Sequence, residues 1–267
     1  MCGTPTPDDV GMREWAFREL VAQNTNLKTL HHYKLVWSVP IIWQVISDHQ
    51  LTMIEQGRLR RQFNDQISIM NDAFVDTPFS FYTSDIVYTV NVDWFTGMVH
   101  DDTAEEAKGA LHRGDNWALN IYLAEVSDLF YGRATFPMDL ARDGVDQDGI
   151  TLDYGSLPGG GNPNGGEGDV LVHEVGHWLG LYHTFQGGCL DDDIFPEVGD
   201  GVDDTPAHDL WVSGRECAPS QSCAGLLDAP IHNHMNYTPD SCRDEFTEGQ
   251  IERMIQQTQL YRCINCM

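Results

Sequence analysis

The sequence predicts an α/β layer built from the first half of its 267 residues, followed by an irregular half tied together by cysteines. Three observations carry that expectation. Strand-like and helix-like patterns alternate from Leu35 to Phe136, the texture of helices laid against a sheet. After Gly188 this patterning gives way to Asp, Cys, Gly and Pro. A composition of 41% hydrophobic and 21% charged residues supplies a sizeable core and excludes a wholly disordered chain or a fibre.

In chain order, residues up to Lys34 are polar with one helical pattern (Trp15, Phe17, Leu20, Val21) and read as an appendage outside the sheet. Residues 35–46 are the most apolar stretch and read as a buried strand, although Pro40 and Gln44 interrupt it. Leu59, Phe63, Ile67 and Met70 recur at helical spacing, giving an amphipathic helix that ends near Asn71 and Asp72. Residues 86–92 read as a second strand. Thr103 with Glu106 has the capping-box pattern and opens a short helix through Leu111. Residues 119–123 and 134–136 are further strands. Residues 155–168 are rich in Gly, Pro and Asn and form a loop; with no Gly-Lys-Ser/Thr after it, it is no phosphate cradle. Thr247 and Gln250 cap a last helix carrying Ile251, Met254, Ile255 and Thr258.

Forty-one acidic against fifteen basic residues give a net charge of −26. A field of that sign makes nucleic acid and anionic membranes poor partners and cations good ones. No window approaches the roughly 18 apolar residues of a membrane span. Four of the seven cysteines (Cys189, Cys217, Cys223, Cys242) share one stretch, Cys263 and Cys266 close the chain, and Cys2 stands alone. Such clustering fits an oxidising, extracellular setting. The first five residues show neither a basic n-region nor an apolar h-region, so a secreted form implies a leader already trimmed away.

The chemistry concentrates in residues 173–183, His-Glu-Val-Gly-His-Trp-Leu-Gly-Leu-Tyr-His. His173 and His177 lie four apart, one turn up the same helix face, and can meet one metal ion. Glu174 adjoins them and points towards the same cleft. His183 cannot reach that ion along a straight helix. A left-handed Gly180 would stop the helix and turn the chain back. Three neutral imidazoles leave an open coordination position, the mark of a catalytic zinc. The five positions coincide by chance on the order of 10⁻⁴ of the time. The eight other histidines, His208 and His234 among them, read as ordinary surface or turn residues.

This motif resembles that of the metzincin zinc peptidases. Three further stretches are similar to the pappalysin family: His-Thr-Phe-Gln-Gly-Gly-Cys at 183–189, Gly-Asp-Gly-Val-Asp-Asp-Thr-Pro at 199–206, and Asn-His-Met-Asn-Tyr at 233–237. The resemblance implies a mixed twisted sheet with helices in an N-terminal subdomain (35–180). An irregular, disulfide-linked C-terminal subdomain (181–267) would follow, with the cleft between them. Residues 1–34 would form a pro-segment. It implies Met235 beneath the zinc, Tyr237 beside the tetrahedral intermediate, and Asp240 at the base of the pocket for the residue after the scissile bond. There a carboxylate would favour Arg or Lys. It implies disulfides Cys189 with Cys223 and Cys217 with Cys242, one of three connectivities open to four cysteines. It also implies calcium in the acidic loop at Asp200, Val202, Asp203 and Thr205, where a solvated charged loop is the alternative. Cys2 resembles a cysteine switch whose thiolate fills the open zinc position; a disulfide to Cys263 or Cys266 is the alternative.

The expected activity is that of a secreted zinc endopeptidase acting on proteins or peptides, with Glu174 as general base on a zinc-bound water. Strand 133–136 and the loop before the zinc helix would form the wall along which substrate extends. Two rival classes are a catalytically silent zinc- and calcium-stabilised binding module and an intracellular metallohydrolase; the intact Glu174 argues against the first. Among metzincins, the astacins and matrixins match less well around Met235.

Overall fold

The computed structural model describes residues 2–24, 27, 36–126, 129–162, 165–189, 199–210, 217–223, 225 and 227–262. Residues Leu35, His31, His32, Cys263 and Cys266 lie outside them. In chain order the elements are α1 (Val10–Gln23), β1 (Trp37–Ser47), α2 (Met53–Ala73), β2 (Phe79–Val90), α3 (Val92–Gly97), α4 (Asp101–Leu111), β3 (Leu119–Ala124), β4 (Gly132–Ala134), α5 (Leu140–Asp143), β5 (Ile150–Asp153), α6 (Asp169–Trp178) and α7 (Glu248–Gln257).

The sheet has the order β2-β1-β3-β5-β4. β4 runs antiparallel at one edge and the other pairs are parallel, so the sheet is mixed as expected. β1 is covered on both faces, with Val39, Ile41, Trp43, Val45 and Ile46 all fully buried, which is why it reads as an unbroken apolar run. Pro40 is tolerated because it lies just before the β3 ladder, which starts at Ile41, and beside a bulge that skips Ser84 between the Ile41 and Ile42 pairs. α2 opens on a reciprocal capping box between Thr52 and Glu55 and stacks Phe63 on Trp43, ring centroids 4.1 Å apart.

Three expectations need correction. β2 begins at Phe79, well before residue 86, because an edge strand half open to solvent carries no apolar run to announce it. α4 begins at Asp101 with His100 as an N-cap that makes no side-chain bond. Thr103 and Glu106 therefore form no capping box; Asp101 and Asp102 supply negative charge to the first turn instead. The strand expected at 134–136 is β4, ending at Ala134, and its partner β5 was not anticipated, being four residues long.

The N-terminal stretch is also more than an appendage. Cys2 forms an isolated parallel bridge with Gly132 of β4, and the Gly3 N–H donates to the Gly132 carbonyl at 2.7 Å. From α1, Glu14 makes a bidentate pair with Arg253 of α7 at 2.5 and 2.9 Å, and Arg13 reaches Asp139 at 2.8 Å.

One apolar cluster joins the sheet, α2, α6 and α7, and it includes Met235, Ile251, Met254 and Ile255. α7 carries the expected Thr247–Gln250 capping box. Just past it, Arg262 and Asp148 form a fully buried ion pair, 2.6 and 3.1 Å. The guanidinium lies 3.7 Å over the Trp178 ring. Asp148 also accepts from Trp178 Nε1 and Thr135 Oγ1, so its carboxylate, desolvated but multiply bonded, is held below its usual range by Arg262. The end of α6 is thereby clamped to the chain's last helical turn.

Candidate metal centre

Every residue of α6 from Val170 to Trp178 is buried. His173 and His177 leave its same face. The helix stops because Gly180 adopts φ +102°. The Gly180 N–H bonds the His177 carbonyl and the Leu181 N–H bonds the Gly176 carbonyl, both at 2.9 Å, the paired closure of a Schellman motif. A Cβ at 180 would also strike Gln257 of α7.

That reversal returns His183 to the helix face. Its Nε2 and that of His173 each lie 3.1 Å from His177 Nε2. Three imidazole nitrogens on one tetrahedral zinc, each at 2.0–2.1 Å, would stand about 3.3 Å apart, so the trio fits a single ion. The outer nitrogens are committed elsewhere. His173 Nδ1 bonds the His234 carbonyl at 2.7 Å and His177 Nδ1 bonds the Leu181 carbonyl at 2.8 Å, which turns both Nε2 lone pairs inward. Burial pushes all three imidazoles down, His177 to about 4, and the neutral ring is the form a metal requires.

Cys2 joins this group. Its Sγ is 3.5 Å from His177 Nε2, against about 3.6 Å for a thiolate and an imidazole sharing one tetrahedral zinc. The four ligand atoms all lie within 4.8 Å of one another. Cys2 is in no disulfide. Burial pushes its thiol up, and the neighbouring Glu174 adds to that.

Glu174 is fully buried beside the trio. Its Oε2 accepts from Thr4 Oγ1 at 2.7 Å, while Oε1 has no partner among the described residues. Burial pushes its carboxyl up to about 7, against the hydrogen bonds from Thr4 and Cys2. Thr4 Oγ1 in turn accepts from the Ala134 N–H at 2.8 Å.

The turn at 233–237 closes the site from below. Met235 is fully buried, and its sulfur lies so close to Gly176 that any side chain there would collide with it. Asn233 fixes the turn by accepting from the Met235 N–H at 2.9 Å and bonding Gln250 of α7. Tyr237 is half-buried, its ring centroid 4.8 Å from that of His183 and 5.7 Å from that of His173; burial pushes its hydroxyl up. Asp240 is buried and pairs with Arg243 at 2.5 Å.

The two disulfides are Cys189 with Cys223 and Cys217 with Cys242. In the acidic loop Asp200 is buried, with Oδ1 receiving Thr205 Oγ1 at 2.6 Å and the Val202 N–H at 3.1 Å. Asp200 Oδ2 is buried without a partner among the described residues, and burial pushes its carboxyl up to about 7. Asp203 is exposed. Asp204 instead accepts from Thr247 and Gly249 at the start of α7.

His208 and His234 are buried, contrary to their reading as surface residues. His208 bonds Thr184 Oγ1 at 2.9 Å, and His234 lends its carbonyl to His173. No role is legible in the sequence for Gly176, Gly132 or Arg243, and Thr4 enters only as part of the switch-like segment Cys2-Gly3-Thr4. Gly176 is signalled by its place inside the histidine motif; the contacts of the others form only on folding.

A mixed sheet over a helix that carries two of three converging histidines, with a glutamate beside them and a methionine turn below, defines a metzincin-type zinc metallopeptidase. The comparisons narrow the class. A family model for peptidases described as pregnancy-associated plasma protein-A matches residues 136–259. An extracellular metalloprotease of Verticillium alfalfae is 35% identical over 95% of this chain and 87% of its own length. One of Podospora anserina is 38% identical over the same shares. A mutant of promirolysin from Tannerella forsythia has the same fold, with TM-score 0.72 at 19% identity over 98% of this chain and 95% of its own. Mature mirolysin in complex with a cleaved peptide gives 0.64 at 22% identity over 86% and 98%. The chain belongs to the pappalysin family and is a metalloendopeptidase.

Proposed function

We propose that this chain is a secreted zinc endopeptidase in a latent form, cutting proteins or peptides by water attack with Glu174 as general base. The observation that carries the reading is the convergence of three imidazole nitrogens with a buried, half-partnered carboxylate beside them. His173, His177 and His183 would hold the zinc, and Gly180 positions the third of them. The metal supplies a Lewis acid that polarises the scissile carbonyl and acidifies water.

Glu174 takes the proton from the attacking water and delivers it to the leaving amine. Tyr237, against His183 and His173, donates its hydroxyl towards the developing oxyanion. The outer edge of β4, held by Cys2 and Gly3 in this form, is where an extended substrate adds as a strand once they leave. Asp240 Oδ2, buried and without a partner among the described residues, is available to an Arg or Lys side chain after the scissile bond.

Residues 1–34 act as the pro-segment of a catalytic domain spanning 35–267, with subdomains 35–180 and 181–267 flanking the cleft. Cys2 fills the position that substrate and water need. Gly3 occupies the β4 edge, and Thr4 bonds the base. Support also comes from the neighbours: the promirolysin match covers 98% of this chain, the mature mirolysin match 86%. Calcium fits Asp200, Val202 and Thr205, with Asp203 at the rim, since the unpartnered Asp200 oxygen needs a cation or a proton. Secretion is supported by the relatives named extracellular and by the two disulfides.

The test is a peptide-cleavage assay on matured protein. Glu174→Ala is expected to retain one equivalent of zinc and lose about 10³-fold or more in kcat, within or above the usual size of a positioned proton-transfer group. Turnover persisting in that variant would remove Glu174 from the mechanism. In the full chain, Cys2→Ala should raise basal activity.

A further inference from the structure

We infer that Arg243 is a specificity-determining residue: an internal cation that competes with the substrate's own side chain for Asp240. The inference rests on the reading of Asp240 as the base of the pocket for the residue after the scissile bond.

The pair is built locally. Asp240–Cys242 form a single 3₁₀ turn, and residues three apart in that geometry stand one above the other. The Cys217–Cys242 disulfide closes on the same turn. Both side chains are withdrawn from water, Asp240 with 7% and Arg243 with 6% of the side chain exposed, so solvent does not screen their attraction as it would a surface pair.

Two further contacts give the guanidinium its place. Its Nη1 lies 3.4 Å from the His234 carbonyl and 3.5 Å from the Asn236 carbonyl, the two that flank Met235. The His234 carbonyl is also the acceptor for His173 Nδ1. Arg243 thus links Asp240 to the carbonyl that orients His173. Asp169 and Glu167, both acidic, add to the negative charge around Asp240.

The pairing is incomplete. A single bond joins Arg243 Nη2 to Asp240 Oδ1, and Asp240 Oδ2 and Arg243 Nε are buried without partners among the described residues. A lone buried carboxylate would demand a cation, because an uncompensated charge there is costly. Here that demand is already met by a group that cannot lose its proton. What remains for the substrate is one acceptor oxygen in a pocket whose local ion pair is neutral. An incoming Arg or Lys therefore gains less than it would against Asp240 alone, and neutral side chains compete with it.

The experiment compares kcat/KM for peptides that differ only in Arg, Lys or Leu after the cut. It uses enzyme matured from the folded full chain with immobilised chymotrypsin, which is removed before assay. Arg243→Met deletes the charge; Arg243→Gln deletes it while keeping a donor for the carbonyls, and serves if the first variant does not fold. Each should raise the basic-over-Leu ratio about tenfold, the scale of one charge-assisted hydrogen bond, through KM more than kcat. As a readout independent of turnover, zinc-loaded Glu174→Ala protein carrying Arg243→Gln should bind the Arg peptide about tenfold more tightly than Glu174→Ala protein that retains Arg243. Asp240→Asn should bring the ratio towards one. If Asp240→Asn has that effect and the Arg243 variants leave the ratio unchanged or lower it, the role given to Arg243 is overturned and the pocket reading stands. If none of the variants moves the ratio, the pocket reading itself fails.

Discussion

Trp43 in the sheet and Asp200 in the acidic loop are both buried, at 0% and 2% exposure, yet their surroundings have little in common. Trp43 stacks on Phe63 within a continuous apolar cluster that spans the strands, α2 and α6. Asp200 is held by a threonine hydroxyl and a backbone N–H, and half of its carboxylate has no partner among the described residues. Beyond Gly180, buried positions such as His208, Asn233 and Asn236 are polar and are held in place by hydrogen bonds. The sheet draws its stability from removing apolar surface from water, an effect without direction. The second region shares that cluster through Met235 and α7, but its loops depend on directional bonds, two covalent links and, on the proposed reading, two metal sites. The histidine trio straddles the boundary, with two rings on the rigid helix and the third on the region that has to be tied down.

The sharpest way to break this contrast is to take the metal away. Chelation should abolish peptide cleavage completely. Hydrogen exchange should then show the loss of protection concentrated in residues 181–189 and 230–243, with α2 and β1 unchanged. Uniform loss across the sheet would show that the two regions fold as a single unit. Next in size is Arg262→Met. It strands Asp148 as an unpaired buried charge and should cost about 3–5 kcal/mol in denaturant unfolding, since it removes the ion pair that holds the end of α6. Replacing Cys217 and Cys242 together by Ser opens a link of sequence separation 25. In the chain-entropy picture that costs about 3 kcal/mol, and limited proteolysis should place the new cuts after Gly180. Smallest is Thr52→Ala, which removes one capping bond from α2 and should cost about 1 kcal/mol. A larger penalty there would mean that the sheet, too, leans on single directional contacts.

Legibility followed the same divide. β1, α2, β3 and α7 could be read because burial marks their sequences: β1 and β3, buried on both faces, as apolar runs, and α2 by Leu59, Phe63 and Met70 recurring on one helix face. β5 could not, since four residues are too few to show a period. Thr103 and Glu106 misled because a capping pattern recurs wherever such residues stand three apart; what fixed the start of α4 was the preceding helix α3, capped by Asn91 and packed with Gly97 against Thr103.

At the metal centre, the sequence by itself determined the pairing of His173 with His177, because a helical turn fixes which side chains share a face. It also determined the need for glycine at 180, because only a left-handed residue closes that turn. Tertiary structure decided the rest. Whether Cys2 faces the trio, Thr4 the Glu174 carboxylate, Met235 the bare backbone of Gly176, or Arg243 a carboxylate beside His234 depends on contacts between segments brought together by folding. Such contacts are set by the packing of a shared core, and local spacing carries no record of them.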